Sequence, residues 1–150
     1  MARPLLLQST VIFKHAQTGG EVVPHQDSAH LYTEPPSCLG LKDADIENGC
    51  LSAVPGGHHS SLTGRYRRHP KGGARFDPPG LTAFPEAAFQ PLPAHRRSLV
   101  LLHGSLPHRS GADRSSRSRH AYTLHLIDGT CCYPDDNWLR RGPDMPLRGF

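Results

Sequence analysis

Apolar positions along this chain fall in short runs, and their spacing is that of strands. In Arg119 to Ile127 (RHAYTLHLI), Tyr122, Leu124 and Leu126 alternate with Ala121, Thr123 and His125, the period-two pattern of a half-buried strand. Ser98 to His103 (SLVLLH) holds four apolar residues in a row, which predicts a buried strand. Ser9 to Lys14 (STVIFK) combines β-branched and aromatic residues and reads as a third strand, with a turn after it at Gly19-Gly20. Glu21 to Pro24 leads extended into His25, because a residue before proline is biased toward the β region. His30 to Thr33 is expected as a short strand stopped by Glu34-Pro35-Pro36, and Leu51 to Val54 as a short apolar piece. No amphipathic helix and no internal repeat stands out.

The connections carry turn chemistry. Residues 43–49 (DADIENG) predict a turn with Asn48-Gly49 as its tight point, and Asp43 and Asp45 read as turn and cap residues. Residues 58–93 form a long irregular stretch rich in Gly, Pro, His and Arg, with the basic run Arg65, Arg67, Arg68, Lys71 and Arg75 read as a solvated loop. A loop of that length is functional or disordered more often than merely connecting. Residues 109–118 (RSGADRSSRS) read as a polar connection between the last two strands. At 150 residues the chain suits one domain, of a size that buries roughly 68–70% of its unfolded surface. The expected fold class is an all-β core, a sandwich or jelly roll with long irregular loops.

Composition narrows the function classes. The 15 Gly and 15 Pro are many, but fall short of the roughly 25–30% combined share that signals disorder. Net charge is +4, and the basic run is interleaved with only Tyr66 and Phe76 as aromatics, so a nucleic-acid partner is not expected. The apolar run Leu5-Leu6-Leu7 breaks at Gln8 before a signal-peptide core forms, and no stretch reaches the 18 or so apolar residues of a membrane span. Cys38, Cys50, Cys131 and Cys132 form no C-x-x-C pair and read as reduced thiols of a cytoplasmic protein. A monomer acting on a small molecule is the expectation.

The chemistry concentrates at His25-Gln26-Asp27, with His108 and Arg119 downstream. A His-x-Asp pair plus one distant His is the ligand set of the 2-His-1-carboxylate face that holds non-haem Fe(II). Residues i and i+2 of a strand share a side, so His25 and Asp27 can reach one ion while Gln26 faces away. His108 follows the apolar strand of residues 98–103, and an antiparallel return would bring Arg119 back to the same end. A guanidinium grips a carboxylate through two parallel hydrogen bonds, and Ser110 could add a third. Among eleven histidines, spacing alone leaves a chance pairing open. His15, His30, His95, His103 and His125 read as packing or surface histidines, and His58-His59 as part of a turn.

The flanking residues carry a resemblance. QSTVIFKHAQTGGEVVPHQDSAHLY at 8–32, DADIENGCL at 43–51, VLLHGSLPH at 100–108, SRSRHAYTLHL at 116–126 and Asn137-Trp138-Leu139 together resemble the phytanoyl-CoA dioxygenase (PhyH) family, in the family's order and over most of the chain. The resemblance implies a double-stranded β-helix and an Fe(II)- and 2-oxoglutarate-dependent oxygenase that forms succinate and CO2 while hydroxylating a substrate. By carry-over His25, Asp27 and His108 would bind iron, and Arg119 and Ser110 the far carboxylate of 2-oxoglutarate. Gln26 and Thr10 fall at positions that also contact the cosubstrate, although the position matching Thr10 is often Met. Family members are about twice this length, and about four residues, including an aromatic, are missing after Leu39-Gly40-Leu41. That departure implies a truncated portion of a jelly roll with a shortened strand, and leaves a catalytically inactive remnant as the alternative.

Overall fold

Alternating β-branched and aromatic residues draw much of this chain into strands. The computed structural model describes residues 1–42, 48–79, 83–95 and 98–149. In chain order the elements are β1 (Pro4–Lys14), β2 (Val22–His25), α1 (Asp27–His30), β3 (Leu39–Lys42), β4 (Leu51–Ala53), β5 (Arg65–Arg68), β6 (Ala74–Asp77), β7 (Gln90–Leu92), β8 (Val100–His103), β9 (His108–Ser110), β10 (Arg119–Asp128) and β11 (Arg148–Gly149). They form a five-stranded sheet in the order β11-β1-β10-β3-β8, a four-stranded sheet in the order β2-β9-β4-β7, and the β5–β6 hairpin. The fold is a jelly roll, the double-stranded β-helix, with antiparallel pairing in both sheets.

The spine of the larger sheet is the long antiparallel pair β1–β10. Its register runs from Pro4 opposite Asp128 to Lys14 opposite Arg119, with one irregularity between Leu6 and Gln8. Along β10, Arg119, Ala121, Thr123, His125 and Ile127 are buried, while His120 and Tyr122 face solvent. The alternation predicts the period but not which set goes inside. Here the set containing Arg, Thr and His goes inside. The apolar core gathers at one end, where Leu7, Leu31, Cys38 and Ile127 pack together with Leu5, Tyr133, Trp138, Leu139 and Leu147 against them. A fully buried leucine such as Leu7 contributes about 1.5–3 kcal/mol.

Several expectations are corrected. Among the described residues, β8 is an edge strand with β3 as its one neighbour. Leu102 is buried, but Leu99 and Leu101 are 68% and 62% exposed, because an edge with one packed face buries only alternate residues of an apolar run. β3 lies between β10 and β8, so the last two long strands run parallel, not as an antiparallel return. The segment between them first crosses into the other sheet as β9. His30 to Thr33 is not a strand. Asp27 to His30 turn helically, with Leu31 N–H donating to Asp27 O at 2.9 Å, and this turn buries Ala29, Leu31 and Tyr32.

The stretch 58–93 is also more regular than expected. Gly72 and Gly73 adopt φ values of 96° and 73°, a left-handed conformation that glycine enters at little cost, and they close the β5–β6 hairpin. Tyr66 and Phe76 pair across it, rings 5.2 Å apart. Two arginines of the basic run are tied down, while Arg68, Lys71 and Arg75 are exposed. Arg65 pairs with Glu34 and lies over the Tyr32 ring, and Arg67 pairs with Asp136 at 3.0 Å.

The segment at Leu39 forms the strand β3, which meets β8 over four residue pairs and β10 over two. The turn at Asn48-Gly49 is present, with Gly49 at φ 75°, whereas Asp43 and Asp45 lie outside the described residues. All four cysteines are free thiols. Among the described residues, no helix is long and apolar enough to cross a membrane.

Candidate metal centre

His25, Asp27 and His108 converge although β2 and β9 are far apart in sequence. The two strands pair antiparallel with His25 opposite His108, which sets the imidazoles side by side, ring centroids 4.3 Å apart. Gln26 is extended and Asp27 opens α1, so the carboxylate swings back toward both rings. Asp27 Oδ1 lies 3.4 Å from His25 Nε2 and 3.6 Å from His108 Nε2. One ligand atom from each residue lies within 4.8 Å of the other two, close enough to share a single ion. His108 is fully buried and His25 is partly open to solvent, so the site opens on the His25 side.

The local hydrogen bonds prepare these atoms for a metal. His25 Nδ1 lies 2.8 Å from Val23 O, and His108 Nδ1 lies 2.9 Å from Leu106 O. A carbonyl accepts, so each Nδ1 carries the proton and donates. That leaves Nε2 of each ring as the atom that faces Asp27. Such outer bonds fix the tautomer and ring angle of metal-binding histidines. Two imidazoles and one carboxylate on one face suit Fe(II), with further positions left for other ligands. The donor set therefore fits the ion that the ligand pattern implies.

Gly40 makes room for the carboxylate. A Cβ at this position would sit 2.9 Å from Asp27 Oδ2. The α1 turn is packed as closely from below, since Ser28 N–H donates to Gly104 O at 2.9 Å and a Cβ on Gly104 would collide with Ser28 Oγ. Asn137 Nδ2 donates to Tyr32 O at 2.9 Å and closes the far end of this segment.

The remaining residues singled out in the sequence take distinct places. Ser110 is buried two positions beyond His108 on β9, so it shares a face with that ligand. Arg119 is buried and donates to Gly49 O. This turn leads into Leu51, the register partner of Ser110, so Arg119 and Ser110 border the same corner. Thr10 stands in the inward row of β1 with Gln8 and Ile12, opposite Thr123, and is exposed. Gln26 does not simply face away. Its Nε2 donates to Ser105 O at 2.8 Å and Ser61 O at 3.5 Å, and its Oε1 accepts from Thr63 N and Oγ1, both at 3.2 Å. These protein partners take up both donors and both acceptors of the amide.

Three residues near the site were missed. Lys14 is buried opposite Arg119 and donates to Gly111 O. His125 lies with Nε2 3.6 Å from Asp27 Oδ2. Gly40 is the third. The β-period put His125 in one row with Ala121 and Thr123, but no local signal says that this row, or Lys14 beside it, is the inner one.

A family model described as Phytanoyl-CoA dioxygenase (PhyH) matches residues 2–121. The chain is 46% identical over 151 residues to Phytanoyl-CoA dioxygenase 1 of Oryza sativa subsp. japonica, covering 97% of this chain and 53% of that protein. It is 43% identical over 158 residues to Phytanoyl-CoA dioxygenase domain-containing protein 1 of Bos taurus, covering 96% and 52%. The chain thus spans about half the length of the curated relatives it matches. Among solved structures, EvdO2 from Micromonospora carbonacea var. aurantiaca complexed with 2-oxoglutarate superposes with TM-score 0.67 at 19% identity, covering 93% of this chain and 59% of that one. The epimerase SnoN in complex with Fe3+, alpha ketoglutarate and nogalamycin RO does so with TM-score 0.67 at 19% identity, covering 97% and 65%. Those two share the fold, while the curated relatives and the family model fix the lineage: this chain belongs to the phytanoyl-CoA dioxygenase (PhyH) family.

Proposed function

We propose that this chain holds the metal centre of an Fe(II)- and 2-oxoglutarate-dependent dioxygenase that converts 2-oxoglutarate and O2 to succinate and CO2 while hydroxylating a small-molecule substrate. The observation that carries this reading is the convergence of His25 Nε2, His108 Nε2 and Asp27 Oδ1, with both imidazoles fixed in the tautomer that presents Nε2. His25, Asp27 and His108 hold the iron. Arg119 grips the far carboxylate of 2-oxoglutarate and Ser110 donates to it, supported by their burial around one corner. Thr10 contacts the cosubstrate from the inward row of β1. Gln26 braces the Ser105 and Thr63 segments around the ligands through its four hydrogen bonds and reaches the cosubstrate only by giving one of them up. Bound Fe(II) supplies the one-electron and O2 chemistry that side chains cannot. The protein acts as a monomer in the cytoplasm, and its four free thiols support the reducing compartment.

The test is succinate formation by the purified chain with Fe(II), ascorbate and 2-oxoglutarate. Succinate is expected from the unsubstituted chain and not from His25→Ala or Asp27→Ala. A chain that binds Fe(II) through these residues yet releases no succinate, while a longer relative does under the same conditions, would overturn the catalytic reading in favour of an inactive remnant.

A further inference from the structure

We propose that His125 is a positioning residue for Asp27, holding its carboxylate so that Oδ1 alone faces the metal. This rests on the metal reading above. His125 lies on the inner face of β10 and is 8% exposed. Its Nε2 is 3.6 Å from Asp27 Oδ2, and its Nδ1 is 3.2 Å from Gln8 Nε2. On the other flank stands Gly40, the register partner of His125 on β3, whose absent side chain gives Oδ2 its space. Oδ2 therefore occupies a slot between β10 and β3, while Oδ1 points at the two ligand histidines.

The proton on His125 follows from its neighbours. A carboxylate needs a donor opposite Oδ2, so Nε2 carries the hydrogen. Nδ1 is then an acceptor, and the amide N–H of Gln8 donates to it. The relay runs Gln8 Nε2–H to His125 Nδ1, and His125 Nε2–H toward Asp27 Oδ2. The last step is slightly longer than a hydrogen bond, and a small rotation of the carboxylate closes it. Each ligand histidine is held through its Nδ1 by a carbonyl two residues upstream. His125 does for the carboxylate what those carbonyls do for the imidazoles. Without it, Asp27 loses its restraint on the Oδ2 side and can turn toward chelation with both oxygens, which consumes a coordination position.

The experiment titrates the purified chain with Co(II), followed by visible absorption, in the unsubstituted form, His125→Leu, His125→Gln and Gln8→Leu, with far-UV circular dichroism as a check of folding. His125→Leu is expected to weaken Co(II) binding roughly 10–100-fold and to change the ligand-field bands. His125→Gln, which keeps an N–H near the position of Nε2, is expected to restore most of the affinity and the original bands. Gln8→Leu falls between. Unchanged affinity and bands in folded His125→Leu would overturn the proposal, and if that variant does not fold, unchanged binding by Gln8→Leu would do so. Co(II) binding by the unsubstituted chain that is indifferent to Asp27→Ala would instead remove the metal reading itself, and this inference with it.

Discussion

The two faces of the five-stranded sheet differ in a way that explains much of the molecule. The inner face carries Gln8, Lys14, Arg119, Thr123 and His125. The outer face carries Val11, Phe13, Tyr122 and Leu101, exposed at 50%, 58%, 58% and 62%. An ordinary sheet with one wet face buries its apolar side. Here the buried side is largely polar, and each polar group needs a partner. Lys14 and Arg119 donate to carbonyls, Thr123 Oγ1 donates to Thr10 O at 3.1 Å, and His125 meets Gln8. The candidate metal centre lies on this polar side, with His125 Nε2 3.6 Å from Asp27 Oδ2. The consequence of the polar inner face is a small apolar core pushed to one end, around Leu7 and Ile127, and an exposed apolar outer surface.

This contrast can be broken by substitution, starting where the effect is largest. Leu7→Ala removes a fully buried side chain from the core and is expected to cost about 2–5 kcal/mol in urea denaturation. A cost below about 1 kcal/mol would mean that the end cluster does not carry the fold. Gly40→Ala acts next, because its Cβ would press on Asp27 Oδ2. Metal affinity measured by calorimetry is expected to fall roughly 10–100-fold, as for other residues that support a ligand, with stability changed much less. Equal affinity in the variant would show that the carboxylate has room to spare.

The third test uses pH. Asp128, at the end of β10, accepts hydrogen bonds from Thr130 N and Oγ1 and from Ala2 and Arg3 N, and these hold its carboxyl well below the usual carboxylate range. A carboxyl with a lowered folded-state pKa stabilises the fold above its ordinary value and loses that contribution as pH falls toward the folded value. Stability measured between pH 6 and pH 3 should therefore fall in the unsubstituted chain and fall less in Asp128→Asn. An identical decline in both would remove the role of Asp128. The smallest effect is expected at the outer face, where Leu101→Ser should change stability by no more than about 0.5 kcal/mol. A loss as large as that of Leu7→Ala would show that this face is covered in solution.

The legible and illegible parts of the sequence divide along the same line. The period of β10 was readable from Tyr122, Leu124 and Leu126, but its sign was not, because polarity marked the buried side. The His25-x-Asp27 pair could be read locally, and the flanking motifs pointed to His108. His125 could not be distinguished from a packing histidine, since its meaning depends on Gln8 and Asp27, which reach it only through sheet pairing. β8 looked doubly buried because a run of apolar residues does not reveal whether its strand lies at an edge. The β5–β6 hairpin was hidden by the Arg, Gly and Pro that also mark loops, although Gly72-Gly73 between Tyr66 and Phe76 was a usable turn signal.

Whether three side chains share one ferrous ion is tested most directly by anaerobic calorimetric titration of the chain with Fe(II). The prediction is one ion per chain, bound more tightly with 2-oxoglutarate present, and loss of that binding in His108→Ala. Undiminished Fe(II) binding by folded His108→Ala would contradict it.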